Sequence, residues 1–305
     1  MNAPRNPPDK QALTFDEQIA RLRERGMVIA DADRARHYLS QLNYYRLRGY
    51  WMHLEVPSAI SGEHQFREGT TFEQVIALYD FDRHLRLLVN DAVERVEVSL
   101  RTRWAHVLAL HAGPCAHLQS SLFNDHHPKL LGRMERLYAD RNDVFLRHYL
   151  ERDIEPPIWV LCETLSLGDL SKWLGAIKQH SMRQAIATPY GLHETPLCSF
   201  IENLAYVRNL CAHHGRLWNR ALIVGQPALP KNPAALVVQR QRDPKTQFRV
   251  YNTLVMLAWL MRRLSPGSDW HLRVREHAET RADLWEDMGF PADWQGFDLW
   301  QQAAP

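Results

Sequence analysis

Apolar residues along the chain recur mainly at the three- and four-residue spacing of amphipathic helices. The clearest run extends from about Thr70 to His111, where apolar side chains keep helical spacing throughout. Shorter runs separated by glycine and proline breakers follow as far as Leu264. No convincing run of alternating strand positions occurs, so the pattern predicts an all-α multi-helix bundle.

Capping residues and breakers predict where several helices begin and end. Thr14-Phe15-Asp16-Glu17 and Thr70-Thr71-Phe72-Glu73 each have the spacing of a capping box that opens a helix. The second box would begin the long helix, with a break near Asp80-Phe81-Asp82 as an open alternative. Residues 55–69 and the proline-rich segment from Gly225 to Pro233 are expected to be irregular.

The length of 305 residues is enough for one large or two small domains with an ample core. Residues 1–13 contain three prolines and few apolar residues, so we expect a disordered tail there. Residues 14–305 are expected to form a single helical domain.

The composition is ordinary for a soluble globular protein, with 45% hydrophobic and 24% charged residues. The net charge is only +2, so any contact with nucleic acid has to come from local basic clusters. No apolar run is long enough to span a membrane, and the amino terminus lacks a signal-peptide core. We therefore expect a cytoplasmic protein with no membrane partner.

The four cysteines stand singly, which suits reduced thiols in a cytoplasm; they are Cys115, Cys162, Cys198 and Cys211. A zinc site formed by Cys211, His213 and His214 is one alternative. Adjacent histidines are an awkward pair of ligands, however, and no second pair of cysteines could complete the site. No metal and no other cofactor is expected.

The densest group of polar residues, Tyr206–Arg220, ends a segment with a strong helical pattern. Thr195-Pro196 is expected to start that helix, with a capping hydroxyl and a proline at the first helical position. Its apolar face is formed by Phe200, Leu204, Val207, Leu210 and Cys211. At about 100° per residue, the opposite face is a polar stripe of Glu202, Tyr206, Asn209, His213, Arg216 and Arg220.

Arg208 lies at the edge of this stripe, roughly 140° around the helix from His213. The two side chains therefore cannot easily share a ligand on one straight helix. Three solutions stay open: the helix bends or unwinds near Ala212, Arg208 reaches around, or two copies of the helix meet.

These residue types can support phosphodiester cleavage in RNA. The imidazole of His213 can move the proton of the 2′-hydroxyl or of the leaving group. The Arg208 guanidinium can stabilise negative charge on phosphate oxygens, and Asn209 can orient the imidazole or hold an oxygen. The alternative is a structural polar patch that caps a helix end.

Two further clusters have both a functional and a structural interpretation. The segment Asn43–Trp51 interleaves aromatic residues with arginines, so Tyr44, Tyr45 and Arg46 can stack on bases and neutralise phosphates. The structural alternative is an aromatic packing corner. On the long helix, Glu97 and Arg101 stand four residues apart, either as an ion pair on a solvated surface or with Arg101 reaching the Arg208–His213 site.

Four sequence blocks in order resemble the Abi-like family of bacterial abortive-infection proteins, the AbiD/AbiF type. The blocks are Asn43–Trp51, Leu78–Arg83 with Glu94–Arg101, Pro157–Gly168, and Arg208–Arg220. The resemblance covers roughly Phe15 to Leu264.

This resemblance implies membership of the HEPN superfamily, a helical core at about 70–264, and helical extensions on either side. Ribonucleases of that superfamily carry an arginine, a polar residue, three more positions and a histidine, which correspond here to Arg208, Asn209 and His213. They commonly pair two motifs, so the single copy implies a homodimer with a composite site. The remaining residues expected to bind RNA or support the site are His214, Arg216, Asn219 and Arg220.

The expected function is a metal-independent endoribonuclease of an anti-phage system that cleaves RNA by 2′-hydroxyl attack. Since some HEPN proteins only bind RNA, the alternative is a non-catalytic module that holds a guide or regulatory RNA. Expected partners are RNA, a second copy of the chain, and a cognate antitoxin or non-coding RNA. His214, placed toward the apolar side of the helix, is expected to affect stability.

Overall fold

The computed structural model describes residues 11–57, 64–139, 143–222 and 230–301. Within these ranges regular structure is almost entirely helical, with one two-stranded sheet, which confirms the all-α prediction. The chain forms two compact units, residues 1–83 and 84–305, and the division falls within the longest helix. That both units belong to one domain at 14–305 remains a prediction.

The elements of the first unit are α1 (Phe15–Glu24), α2 (Ala32–Gln41), α3 (Tyr44–Trp51), β1 (Glu55–Pro57) and β2 (His64–Phe66). α4 (Phe72–Ala112) begins there and continues into the second unit. The second unit adds α5 (His127–Ala139), α6 (Val144–Leu150), α7 (Ile158–Thr164), α8 (Leu167–Ala176), α9 (His180–Ala187), α10 (Glu194–Ala212), α11 (Ala234–Val237), α12 (Val250–Leu264), α13 (Trp270–Glu279) and α14 (Trp285–Met288). Short 3₁₀ turns include Thr188–Tyr190 and Asp298–Trp300.

α1 begins as the sequence predicted. The Thr14 hydroxyl accepts a hydrogen bond from the Glu17 N–H at 3.3 Å, and the Glu17 carboxylate accepts one from the Thr14 N–H at 2.6 Å. This reciprocal pair satisfies donors that the first helical turn leaves open. α1 packs on α2 and buries Ile19 and Leu22.

Part of the segment 55–69, predicted to be irregular, is instead a hairpin. β1 and β2 pair antiparallel, with Glu55 opposite Phe66 and Pro57 opposite His64. Each strand has only three residues, too few for an alternating pattern to be recognised in the sequence. Arg25 anchors the hairpin, because its guanidinium lies 2.6 Å from the buried Glu55 carboxylate.

α4 is continuous through the position where the sequence left a break open. Its capping box lies one residue later than predicted, with Thr71 and Gln74 in place of Thr70 and Glu73; their side chains each accept from the other's backbone N–H at 3.1 and 3.0 Å. Asp82 is fully buried on the helix and accepts a hydrogen bond from the Tyr50 hydroxyl at 2.6 Å. The polar Asp80–Asp82 segment is therefore accommodated by a specific partner and needs no helix break.

The core of the second unit is organised around α12. Every residue from Val250 to Met261 is buried, so this helix is enclosed on all sides. The Trp259 indole donates to the Tyr190 carbonyl at 3.1 Å, and the Trp270 indole donates to the Leu88 carbonyl at 2.7 Å. Trp270, Trp294 and Trp300 of the carboxy-terminal segment are likewise fully buried.

Several other expectations concern particular segments. Most of the predicted tail at 1–13 and of the predicted loop at 225–233 lies outside the described residues. All four cysteines are free thiols, in agreement with the prediction. None of the helices in the described ranges is both long and apolar enough to cross a membrane.

Candidate functional site

α10 carries the candidate residues and packs mainly against α8 and α9. Its first residue is Glu194, and the preceding His193 caps it through ring Nδ1, which accepts from the Thr195 N–H at 3.3 Å. The predicted start at Thr195-Pro196 is therefore late by two residues, since the histidine ring provides the acceptor expected from the Thr195 hydroxyl.

The first turn of α10 contains a buried ion pair. Arg183 Nε donates to the Glu194 carboxylate at 2.6 Å, and a His180 ring nitrogen lies 2.9 Å from the same carboxylate. The Glu194 side chain is only 7% exposed. The hydrogen bond from Arg183, aided by His180, lowers the pKa of Glu194 from 4.5 to about 2.

We expect this pair to make stability fall in acid. Because the pKa of Glu194 is depressed in the folded chain, its contribution is complete above pH 4.5 and is lost as the pH falls toward 2. The loss should be of the order of 2 kcal/mol, allowing for partial solvent screening of the pair. Urea unfolding of the wild type and Glu194→Gln between pH 7 and 3 measures it, with exposed Glu135→Gln as control. Equal pH dependence in all three proteins would contradict this assignment.

α10 ends at Ala212 in a Schellman arrangement. The His214 N–H donates to the Cys211 carbonyl at 3.0 Å, and the Gly215 N–H donates to the Leu210 carbonyl at 2.8 Å. A Cβ at residue 215 would clash with Leu210 Cδ1 and lie 3.2 Å from the Leu210 carbonyl oxygen, so this close approach favours glycine there. His213 is the residue that caps the helix, with φ −89° and ψ 15°.

This helix end corrects the predicted polar stripe. The stripe assumed a helix extending to Arg220, but the backbone leaves helical geometry after Ala212. Arg216 and Arg220 therefore do not continue the helical face that carries Asn209. The helix ends near Ala212, but the capping His213 still donates its backbone N–H to the Asn209 carbonyl, so this end alone does not decide among the three solutions considered for Arg208 and His213.

His214 adopts a left-handed backbone conformation, with φ +57°, and its side chain is exposed. The prediction that His214 lies toward the apolar side is thus wrong, because the helix no longer continues at that residue. The left-handed backbone is one source of any effect of His214 on stability, because a β-carbon is unfavourable in that conformation.

We therefore expect His214→Gly to raise the free energy of unfolding by roughly 1 kcal/mol. Glycine adopts the left-handed conformation without steric cost, whereas His214→Ala retains the β-carbon and should bring no such gain. Urea unfolding of the three proteins at one pH distinguishes them. A loss of stability in both variants would show that contacts of the imidazole outweigh the backbone term.

The three predicted catalytic residues lie together at this end of α10. Arg208 is half-buried, while Asn209 and His213 are exposed. Arg208 Nη1 donates to Asn209 Oδ1 at 3.2 Å, and the His213 backbone N–H donates to the Asn209 carbonyl at 3.0 Å. Asn209 therefore contacts both the guanidinium and the backbone of the capping histidine.

A cavity of about 400 Å³ lies between α4 and this end of α10, and we call it the α4–α10 cavity. Its lining residues are Asn90, Val93, Glu94, Glu97, Val98, Arg101, Arg208 and Ala212. It thus brings together Arg208 and the pair Glu97–Arg101, which are more than a hundred residues apart in the sequence.

Arg101 is fixed in this cavity by several contacts. Its guanidinium forms an ion pair with Glu97, donates to the Leu165 carbonyl at 2.9 Å, and lies 3.5 Å from the Glu163 carboxylate. Both members of the Glu97–Arg101 pair are largely buried, with 11% and 17% side-chain exposure. The ion pair proposed from the sequence exists, but it belongs to the cavity wall and not to a solvated surface.

The segment after α10 folds back onto the helix. The Arg216 guanidinium stacks over the Trp218 ring at 5.5 Å, and Arg220 Nη1 donates to the Tyr206 hydroxyl at 3.4 Å. Asn219 is half-buried and has a left-handed backbone, with φ +47°. Arg220 and Tyr206 therefore meet as the polar stripe suggested, but through a turn in place of a continuing helix.

The predicted RNA-binding residues Tyr44, Tyr45 and Arg46 belong to the first unit, on α3. The Tyr44 hydroxyl accepts from Arg25 Nη1 at 3.3 Å, and its ring meets Trp51 edge-on at 5.0 Å. Tyr44 therefore follows the structural interpretation, as part of a packing corner. Tyr45 is 65% exposed and Arg46 is also exposed.

The sequence did not identify every residue at this site. Asn90 and Val98 line the cavity beside Glu94, and the Leu165 carbonyl and Glu163 hold Arg101. Residues 90, 94 and 98 share one face of α4 at four-residue spacing, a signal available in the sequence. The contribution from 163–165 depends on tertiary packing and leaves no such signal.

In the described parts of the chain, no group of three or more histidine, cysteine or acidic side chains could hold a metal.

Comparison with known proteins gave one match. The family model described as Abi-like protein matches residues 37–219, more than half of the chain. No curated protein and no solved structure matches. The matched region includes α4, Arg208, Asn209 and His213, so all residues of the α4–α10 cavity fall within it. The chain belongs to the Abi-like protein family.

Proposed function

We propose that the protein is a metal-independent endoribonuclease that acts in abortive infection and cleaves RNA through its own 2′-hydroxyl. Membership of the Abi-like family supports the phage-defence role. The ribonuclease activity rests on one observation above all: Arg208 lines a cavity together with Arg101, beside an exposed histidine at the end of the same helix.

The charge of Arg208 is available for an anionic ligand. Its hydrogen bond goes to the neutral amide of Asn209, and no carboxylate among the described residues forms an ion pair with it. Arg101, by contrast, is compensated by Glu97 and held in place. A half-buried guanidinium without a carboxylate partner favours binding of a phosphate, which accepts two parallel hydrogen bonds from it.

His213 is suited to proton transfer because it is exposed and lies just beyond the last helical residue. The Asn209 contacts fix the backbone of His213 and the guanidinium of Arg208 relative to each other. A histidine near the phosphate can accept the 2′-hydroxyl proton or donate one to the departing 5′-oxygen.

In the proposed reaction the 2′-oxygen attacks the neighbouring phosphorus while the bond from phosphorus to the 5′-oxygen breaks. Arg208 stabilises the additional negative charge on the phosphoryl oxygens. The products are a 2′,3′-cyclic phosphate and a free 5′-hydroxyl, so no water is consumed in this step. Arg216 and Arg220 add positive charge near the helix end and should make RNA binding sensitive to salt.

We also propose that the active form is a symmetric dimer in which two such helix ends meet. Two-fold pairing is the commonest assembly of identical chains. The single Arg208–His213 motif per chain would then form a composite site with its copy.

The alternative function is a non-catalytic RNA-binding module. The exposed ring of Tyr45 and the adjacent exposed Arg46 favour it, since an aromatic face and a cation suit single-stranded RNA. In that case the helix-end histidine has no chemical role.

Incubation of purified protein with mixed RNA in EDTA separates these functions. We expect cleavage to persist in the chelator and to leave products that end in a 2′,3′-cyclic phosphate. Such 3′ ends cannot be labelled enzymatically until the cyclic phosphate is removed. The 2′-deoxy analogue of the same RNA serves as control and should stay intact, because it lacks the attacking hydroxyl. Binding without cleavage would favour the alternative.

A further inference from the structure

A second cavity, of about 830 Å³, lies among α5, α8, α9 and the part of α10 from Glu194 to Ala205; we call it the four-helix cavity. None of its lining residues lines the α4–α10 cavity. Its volume is in the upper part of the range of about 300–1,000 Å³ that is usual for small-molecule sites.

Small residues form much of the wall of this cavity. Gly168, Gly175 and Ala176 contribute from α8, and Ala205 contributes from α10. A β-carbon built on Gly175 would meet no atom within 4 Å, so the space beside this glycine is empty. The wall thus offers a smooth apolar surface on which a flat ring can lie.

The charges within the cavity are only partly compensated. Arg183 is paired with Glu194, and Arg133 lies 2.6 Å from Asp169. Lys129 on α5 and Lys172 on α8 are exposed lining residues, and no carboxylate among the described residues forms an ion pair with either. The cavity therefore presents two ammonium groups to an anionic ligand.

The α10 side of the four-helix cavity carries a negative charge in place of the positive charge of the two lysines. Glu202 is an exposed lining residue and forms no ion pair with any described residue. The neighbouring Cys198 adds no charge, because burial raises the pKa of its thiol to about 11. A matching ligand has an anionic group at one end, a flat apolar body, and N–H donors at the other end.

We propose that the four-helix cavity binds a nucleotide. Its phosphate lies at Lys129 and Lys172, its base lies against the small residues of α8 and α10, and Glu202 accepts hydrogen bonds from base N–H groups. The nucleotide is either free or a unit of an RNA chain, since both present the same groups. This site goes beyond the proposed ribonuclease activity and does not depend on it.

Calorimetric titration with two probes tests the proposal: the four nucleoside 5′-monophosphates, and a 2′-deoxy tetranucleotide that cannot undergo 2′-hydroxyl cleavage. We expect at least one probe to bind, and Gly175→Leu to weaken that binding by about tenfold or more by filling the cavity. Lys172→Glu should weaken it to a similar degree through charge reversal. Binding of monophosphates identifies a free nucleotide as the ligand, and binding of the tetranucleotide alone identifies an RNA chain.

Matched controls are available in the chain. Gly132→Leu places the same side chain at another open helical glycine that does not line the cavity, and Lys178→Glu reverses an exposed charge outside it. Both should bind like the wild type. If Gly175→Leu fails to fold by circular dichroism, Lys172→Glu decides the question alone.

The proposal is overturned if neither probe binds at up to about 1 mM, or if the cavity variants bind as tightly as the controls. The binding that Gly175→Leu removes should be unchanged in His213→Ala, because His213 does not line this cavity. Failure of the ribonuclease assignment would therefore leave the titration result unchanged, and the two outcomes can be told apart.

Discussion

His213→Ala should lower the rate of RNA cleavage by about a hundredfold or more, because it removes the acid–base group of the proposed reaction. Arg208→Ala should cause a loss of the same order by removing a cation that stabilises the charged transition state. Neither should change the free energy of unfolding by more than about 0.5 kcal/mol, since His213 is exposed and Arg208 only half-buried. Initial rates with a labelled RNA, together with urea unfolding, measure both effects.

His106→Ala is a matched control, because His106 is an exposed histidine on α4 outside the α4–α10 cavity. It should retain wild-type activity. If His214→Ala were inactive and well folded while His213→Ala remained active, the acid–base assignment would be wrong by one residue.

Mixing inactive Arg208→Ala protein with inactive His213→Ala protein should restore cleavage if the site is shared between two chains. Random exchange makes half of the dimers heterodimers, and each would hold one intact site of two. The mixture should therefore recover about a quarter of wild-type activity. The measurement is the initial rate after subunit exchange, with native mass spectrometry to count heterodimers.

The control for exchange mixes Arg208→Ala protein with the double variant Arg208→Ala/His213→Ala. This mixture contains no Arg208 in any chain and should stay inactive. Heterodimers that form without any recovery would place both residues of a site on one chain. Full activity of the wild type as a monomer, shown by light scattering at the assay concentration, would exclude a composite site altogether.

Much of the fold was predictable where local chemistry decides it. The capping boxes at Thr14 and Thr71 need only a hydroxyl and a carboxyl or amide group three residues later, so both helix starts follow from short sequence patterns. The apolar face of α10 follows in the same way from helical spacing. The break considered in α4 is absent because a distant tyrosine, Tyr50, satisfies Asp82.

The end of α10 was mispredicted for a physical reason. A helix usually stops at a glycine in the left-handed conformation, but here His214 occupies that position and Gly215 follows it. The pattern of polar residues therefore continued past the true end. Gly215 follows the left-handed residue and does not occupy that position itself, so it was a weak indication of the helix end in the sequence. Its close approach to Leu210 is visible only in the structure.

The candidate residues themselves could be identified from the sequence, but their surroundings could not. The meeting of Arg101 with Arg208 in one cavity depends on the packing of α4 against α10. The four-helix cavity is still less visible, because it is formed by glycines and alanines from separate helices that carry no motif. Local sequence patterns indicate which residues are unusual, whereas a cavity forms only when the helices pack together.

α10 terminates through His214 and Gly215. The number of residues between Arg208 and His213 therefore determines how the two side chains are placed around the helix. Because α10 is held by its packing against α8 and α9, an alanine inserted after Ala212 would leave Arg208 in place and rotate the capping histidine by about 100° around the helix. A deletion would rotate it by the same angle in the other direction. If Arg208 and His213 act together as proposed, side chains of residues 210–212 can be exchanged within the limits of packing, whereas an insertion or deletion in this interval should abolish cleavage.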